Sequence, residues 1–293
     1  MKPQPESIMR LKPVICVLGS LLYFSVASCA DELAEKGRDV FKKNQRAVVT
    51  VQLVQKVTYS ASGRAGEAQE AKQDITGTVV DPSGLTVLAL SSTDPTEMYR
   101  RMYGDRVKVE IEVSDVKFLL DEGAEIPAEI VLRDKDLDLA FIRPKTKPAS
   151  PMAAADLAKS SPAQVLDAVV TLNRLGRAAG RAYSASVEHI SAVVMKPRTF
   201  YIPDSAMTAT SSGSPAFALD GNIVGIFVMR ALSAGGGGGS MNNSRPDNVT
   251  AIILPAEDIL KAARQAPEAK GDEPKKEEAK EAPKAVKSEA EKK

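Results

Sequence analysis

The chain has 293 residues, of which 43% are hydrophobic and 26% charged. This is enough apolar material for one large domain or two small ones, and too much for a chain disordered throughout. Its 39 Lys and Arg against 38 Asp and Glu supply no general basic field, so nucleic acid is not an expected partner. Two cysteines and one histidine exclude a multi-cysteine disulfide framework and any zinc site built mainly from Cys and His; no metal and no cofactor are expected.

Lys2, Arg10 and Lys12 precede an apolar run from Val14 to Val26, which reads as an export signal, because a membrane span would need about 20 apolar residues. Val26-Ala27-Ser28-Cys29 has the pattern of a bacterial lipobox, in which Cys29 would be lipidated and become the mature N-terminus. Ser28-Cys29-Ala30 also offers small residues for ordinary cleavage before Asp31, and an uncleaved anchor is the third reading. Cys16 lies within the apolar segment, so the mature chain has no internal disulfide. The expected location is the periplasm or cell envelope, with a lipid anchor holding the chain to the membrane under the first reading.

From Asp31 to about Asn44, Leu33, Val40 and Phe41 are spaced as on one short helix. Val48 to Val57 alternates as a strand, and Ser60 to Gln73 reads as a polar loop. Ile75 to Val80 and Leu85 to Leu90 form a hairpin around Asp81-Pro82-Ser83-Gly84, where Pro presets φ and Gly accepts a positive φ. Strands are expected at Val107 to Val113, Ile126 to Leu132 and Leu137 to Arg143, before a Pro- and Lys-containing connector from Pro144 to Pro151. A second set follows at Gln164 to Leu172, Ser184 to Met195, Ala216 to Leu219, Asn222 to Val228 and Thr250 to Ile253, suggesting a second β-barrel or a sandwich. Pro255 to about Gln265 reads as a closing helix, with Glu257 and Asp258 in its first turn. Gly235 to Gly239 reads as a surface loop, since a phosphate-binding loop needs a following helix and a Lys. From Ala266 to Lys293 the chain is almost entirely Lys, Glu, Ala and Pro, a composition expected to stay disordered. The expected division is therefore 1–29 signal, 31–145 first β unit, 146–265 second β unit with the closing helix, and 266–293 tail.

Ser212 lies in Thr210-Ser211-Ser212-Gly213-Ser214-Pro215, followed by an apolar strand, a turn at Asp220-Gly221 and Asn222-Ile223-Val224-Gly225-Ile226. This resembles the chymotrypsin-fold serine proteases, and among them the Deg-type (high-temperature-requirement) envelope proteases of bacteria, whose nucleophile motif is Gly-Asn-Ser-Gly-Gly-Pro. Asp204 stands where that family has an Asp before the nucleophile loop, Asp81 to Gly84 resembles the turn before its histidine strand, and Asp138-Leu139-Ala140 resembles its catalytic-aspartate motif. The resemblance runs from about Asp39 to Ala263, with no room in that span for the PDZ module common in the family. It implies an all-β fold of two six-stranded antiparallel barrels with a short N-terminal and a C-terminal helix.

The same resemblance assigns Ser212 as nucleophile and Asp138 as orienting carboxylate, and it places the histidine at about Ser91. Serine there removes the base. The sole histidine, His189, falls on a strand of the second barrel and is not expected to replace it. The oxyanion donors would come from the backbone around Thr210 and Ser212, but Thr210 stands where the family has glycine, and Ser214 replaces the second glycine after the nucleophile. A lysine base would need burial to lower its pKa, and Lys135 and Lys196 read as solvated. Two functions follow. The first is a catalytically degenerate protease-fold protein that binds extended peptides or unfolded envelope proteins in the groove between its barrels. The second is an active serine endopeptidase in which Ser212 works with an unusual base. Substrate preference would depend on how Phe227, Met229 and their neighbours pack.

Overall fold

Alternation decides which residues of each strand look inward, and two strands lose that alternation because both of their faces are covered. The computed structural model describes residues 32–61, 64–103, 107–121, 123–204, 212–231 and 249–268. The N-terminal run expected to be an export signal, Cys29, Thr210, the glycine run and most of the Lys/Glu/Ala/Pro tail lie outside the described residues. Residues 32–44 form helix α1, as the spacing of Leu33, Val40 and Phe41 predicts.

The first barrel contains β1 (Val48–Ala61), β2 (Arg64–Ala65), β3 (Gln69–Val79), β4 (Thr86–Ala89), β5 (Val107–Leu119), β6 (Glu125–Asp134) and β7 (Leu139–Pro144). Its order β1-β3-β4-β7-β6-β5 closes through β1 against β5, with the short β2 added to β1. Leu88, Leu90, Ala140 and Ile142 fill the barrel interior with Val51, Leu53 and Phe118. The alternate residues Val87, Ala89, Leu139 and Phe141 point the other way, into a second core shared with Val170, Phe217, Ile226 and Ile252 of the second barrel. Every residue of β4 and β7 is consequently buried.

The second barrel closes in the order β10-β13-β12-β11-β8-β9, from β8 (Ala168–Arg174), β9 (Tyr183–Val194), β10 (Phe200–Pro203), β11 (Pro215–Ala218), β12 (Ile223–Ala231) and β13 (Val249–Pro255). Val169, Ile190, Tyr201, Phe227 and Ile253 fill it. The closing helix α4 (Ala256–Ala263) buries Ala256, Ile259 and Ala262. The protein is thus all-β at its centre, two six-stranded antiparallel barrels with a helix at either end.

Several boundaries differ from those the sequence suggests. The polar stretch from Ser60 to Gln73 is largely strand: β1 and β3 stay paired as far as Val57 opposite Gln69, and Ser60 pairs with Ala65 of β2. This ribbon projects past the barrel, where polar residues satisfy strand geometry without a core to face. After β4 the chain turns into two helices, α2 (Leu90–Thr93) and α3 (Thr96–Tyr103), a stretch to which the sequence assigns no element. Asp94 opens α3 by accepting from the Thr96 N–H at 3.2 Å. Strand β8 starts at Ala168 rather than Gln164, because Leu166 takes φ 73° and the Gln164 N–H donates to Asp167 Oδ2 at 2.7 Å, closing a turn. The start of the tail is docked: Ala266 is buried, and the Pro267 carbonyl accepts from Arg143 Nε at 2.7 Å.

Candidate active site

The turn between β6 and β7 delivers Asp138. Asp134 Oδ1 accepts from the N–H groups of Asp136 and Leu137, both at 3.0 Å, and the chain reaches Asp138 at φ 57°, a left-handed conformation costly for a residue with a Cβ. Three contacts tie it to the start of α2, directly after β4. Its carbonyl accepts from the Leu90 N–H at 2.8 Å, its Oδ1 from the Ser91 N–H at 2.7 Å and its Oδ2 from the Ser91 hydroxyl at 2.8 Å. A fourth comes from the second barrel, the Met229 N–H donating to Oδ2 at 3.2 Å. Burial pushes the Asp138 carboxyl up to about 6, against the hydrogen bonds from Ser91 and Met229, which favour the ionised form.

Ser91, which the resemblance aligns with the family's histidine, donates to both oxygens of the Asp138 carboxylate. An imidazole accepts a proton on one ring nitrogen while donating to the carboxylate from the other; a serine hydroxyl has one oxygen, already committed to Asp138, and is too weak a base near neutral pH.

Ser212 is 5% exposed and begins a turn pressed against the first barrel. Gly213 has φ 89°, and a Cβ there would lie 2.4 Å from the Thr76 carbonyl oxygen, so only glycine fits. Its N–H donates to the Phe227 carbonyl at 2.8 Å and its own carbonyl accepts from Thr78 Oγ1 at 2.8 Å. Ser214 is fully buried, and its hydroxyl donates to Asn173 Oδ1 at 3.1 Å. Thr76 Oγ1, at 2.8 Å, and the Arg174 N–H, at 2.8 Å, share that acceptor. Asn173, at the end of β8, is a site residue the sequence reading missed, since a polar residue closing an apolar strand carries no motif. The backbone of Met229 was missed for a similar reason, an N–H having no sequence signature. Strand β12 links the two halves, holding the nucleophile turn through Phe227 and Asp138 through Met229.

His189 lies on β9, 47% exposed at the side chain, and its Nδ1 is 3.5 Å from Asp204 Oδ2. Its N–H donates to Asp204 Oδ1 at 3.0 Å and its carbonyl accepts the Asp204 N–H at 2.9 Å. Asp204 is thus engaged with His189. Lys135 and Lys196 are both exposed. Phe227 is buried inside the second barrel. Thr210 and Cys29 lie outside the described residues. The turn carrying Ser212 and an oriented, partly buried carboxylate are present; among the described residues the hydrogen-bond partners of the Asp138 carboxylate are Ser91 and the Met229 N–H.

Comparison with a protein-family model agrees with the two-barrel fold. Residues 75–226, just over half of the chain, match the family model of the trypsin-like peptidase domain. Among solved structures, the HtrA-type protease AlgW with decapeptide superposes with a TM-score of 0.53 at 14% identity, over 78% of this chain and 66% of that one, just under two thirds of its length. The MamO protease domain from Magnetospirillum magneticum, in its apo form, gives a TM-score of 0.48 at 15% identity, over 75% of this chain and 97% of that one. No curated protein matches in sequence.

Proposed function

The chain belongs to the trypsin-like peptidase domain family, and from that premise we propose that it is a degenerate member, exported to the cell envelope, that binds extended peptide segments of unfolded or envelope proteins without cleaving them. The observation that carries this reading is Ser91, donating both its N–H and its hydroxyl to Asp138 in the place of a base. Losing the histidine of a serine-protease triad costs a factor of about 10⁴ to 10⁶ in turnover. Export rests on the N-terminal run of Val14 to Val26, and anchoring to the membrane on the lipobox pattern at Cys29.

A second reading, an active endopeptidase with an unusual base, draws on the retention of Ser212 beside a glycine that must stay glycine, and of Asp138 in a strained conformation. Hydrolysis of an unfolded protein by the purified protein, run beside Ser212→Ala, separates the two. The binding reading expects the same background rate from both proteins. Turnover in the wild type that disappears in Ser212→Ala would overturn it and make the base the next residue to find. A third arm, Ser91→His, returns an imidazole to the carboxylate; serine-dependent hydrolysis gained there alone identifies the missing base as the block.

A further inference from the structure

Where β3 leaves the first barrel, one of its sides stays open. Strand β4 pairs with β3 only at Thr78 and Val79, while β1 continues along β3 to Gln69 and along β5 to Val107. The edge of residues 69–73 that faces away from β1 has no strand partner among the described residues, and Gln69, Glu70, Ala71, Lys72 and Gln73 are all exposed. The direction of its backbone groups follows from parity. The Val80 N–H donates to the Leu85 carbonyl, on the side away from β1, and the β1–β3 register runs without a shift. Even-numbered residues therefore turn their N–H and C=O outward, as the Thr76 carbonyl facing Gly213 also does. On the open edge those residues are Glu70 and Lys72.

An unpaired edge is a template for another strand, and proteins commonly blunt it with charge. Here the two charges have opposite sign, one step apart on the same face. A second copy laid antiparallel about a two-fold axis through Ala71 sets Glu70 opposite the partner subunit's Lys72, and Lys72 opposite the partner subunit's Glu70. Gln69 then faces the partner subunit's Gln73, and the two Ala71 residues meet at the axis. The pairs of opposite charge are also the pairs whose backbone groups point outward, so each can exchange two hydrogen bonds across the new ladder. A two-fold axis normal to the sheet keeps each residue on its own face, as a closed isologous contact requires. The neighbouring open edge of β5 differs: Lys108 and Glu110 already pair within their own strand at 2.7 Å, whereas neither Glu70 nor Lys72 has an ion-pair partner among the described residues.

We propose that the Gln69–Gln73 edge of β3 is a self-recognition surface, through which two copies of the chain join β3 to β3 and continue the projecting ribbon across a dimer. The assignment is independent of whether Ser212 turns over a substrate. Sedimentation velocity of the full chain over a concentration series tests it, with circular dichroism confirming that each variant is folded. A reversible dimer is expected. Lys72→Glu sets like charges opposite each other twice and weakens the dimer by about ten-fold or more, and the double variant Glu70→Lys with Lys72→Glu restores it. Lys72→Pro removes an outward donor while leaving the ladder to β1 intact, and yields a monomer. A chain that stays monomeric at every concentration, a dimer indifferent to Lys72→Glu, or a double variant that fails to recover would each overturn the proposal. So would an added extended peptide that binds wild-type monomer and not Lys72→Pro, since the edge would then serve a foreign strand.

Discussion

Asp138 shows how one carboxylate can be held in place at a cost. Its folded pKa of about 6 stands above the ordinary carboxylate value of 3.8. Below pH 3.8 both the folded and the unfolded chain carry the proton. Between 3.8 and 6 the folded chain keeps a proton that the unfolded chain has lost, so this group's contribution to stability falls as pH rises. The loss is complete above pH 6 and amounts to about 3 kcal/mol, at 1.36 kcal/mol for each pH unit. The Ser91 hydroxyl limits it, because its hydrogen bond favours the ionised form. Ser91→Ala is therefore expected to push the Asp138 pKa further up and to deepen the loss of stability at neutral pH. A carbon-13 NMR titration of the Asp138 carboxyl in both proteins checks the direction, and an unchanged or lowered value in Ser91→Ala would show that the hydroxyl is not the donor that matters.

At the scale of elements, the nucleophile turn and β3 are fitted to each other. Gly213 lies under the Thr76 carbonyl, Thr78 bonds the Gly213 carbonyl, and Asn173 gathers the Ser214 and Thr76 hydroxyls. Gly213→Ala adds a Cβ to a positive φ and to a contact with backbone that cannot rotate away, so it should cost about 2–4 kcal/mol. Urea unfolding measures that cost; a loss below about 0.5 kcal/mol would mean that the turn moves freely off β3. The same packing explains what was legible beforehand. Gly213 and Asp81-Pro82-Ser83-Gly84 announce their turns because their backbone conformations select particular residues, and Gly84 does take φ 95°. The assignments of Ser212, Asp138 and Ser91 rested on the family resemblance, and Ser91 does meet Asp138. The Ser60 to Gln73 ribbon was hidden because its exposed strands lack the apolar alternation a barrel wall imposes. Asn173 and the Met229 N–H were hidden because their roles come from which strands become neighbours, a tertiary fact that leaves no local pattern.

Across the whole molecule, the two barrels share an apolar core and a polar clasp. Arg174, 7% exposed at its side chain, reaches from β8 to Asp121 in the turn after β5 at 2.8 Å. Tyr183 donates to the other Asp121 oxygen at 2.6 Å, and the guanidinium lies 3.9 Å above the Tyr183 ring. Burial pushes the Asp121 carboxyl up, but the hydrogen bonds from Tyr183 and Arg174 and the charges of Arg174 and Arg46 outweigh it and hold the pKa below the usual value. Burial and the bond to Asp121 push the Tyr183 phenol up to about 12. Because Asp121 is half exposed, the ion pair itself contributes little, and most of the effect of losing Arg174 comes from its buried stem and its stacking on Tyr183. Arg174→Ala should cost about 1–3 kcal/mol and still unfold in one transition, since the shared core of Val87, Phe141, Phe217 and Ile252 remains. The sign with pH is set by the depressed carboxyl: its share of stability is present above the ordinary value of 3.8 and fades as pH falls through the folded pKa. The stability gap between wild type and Arg174→Ala is therefore expected to narrow in acid, and calorimetry at pH 7 and pH 3 reads it directly. A gap that widens in acid would remove Asp121 from the clasp. Two separate transitions in Arg174→Ala would mean that the polar clasp, and not the shared core, couples the barrels.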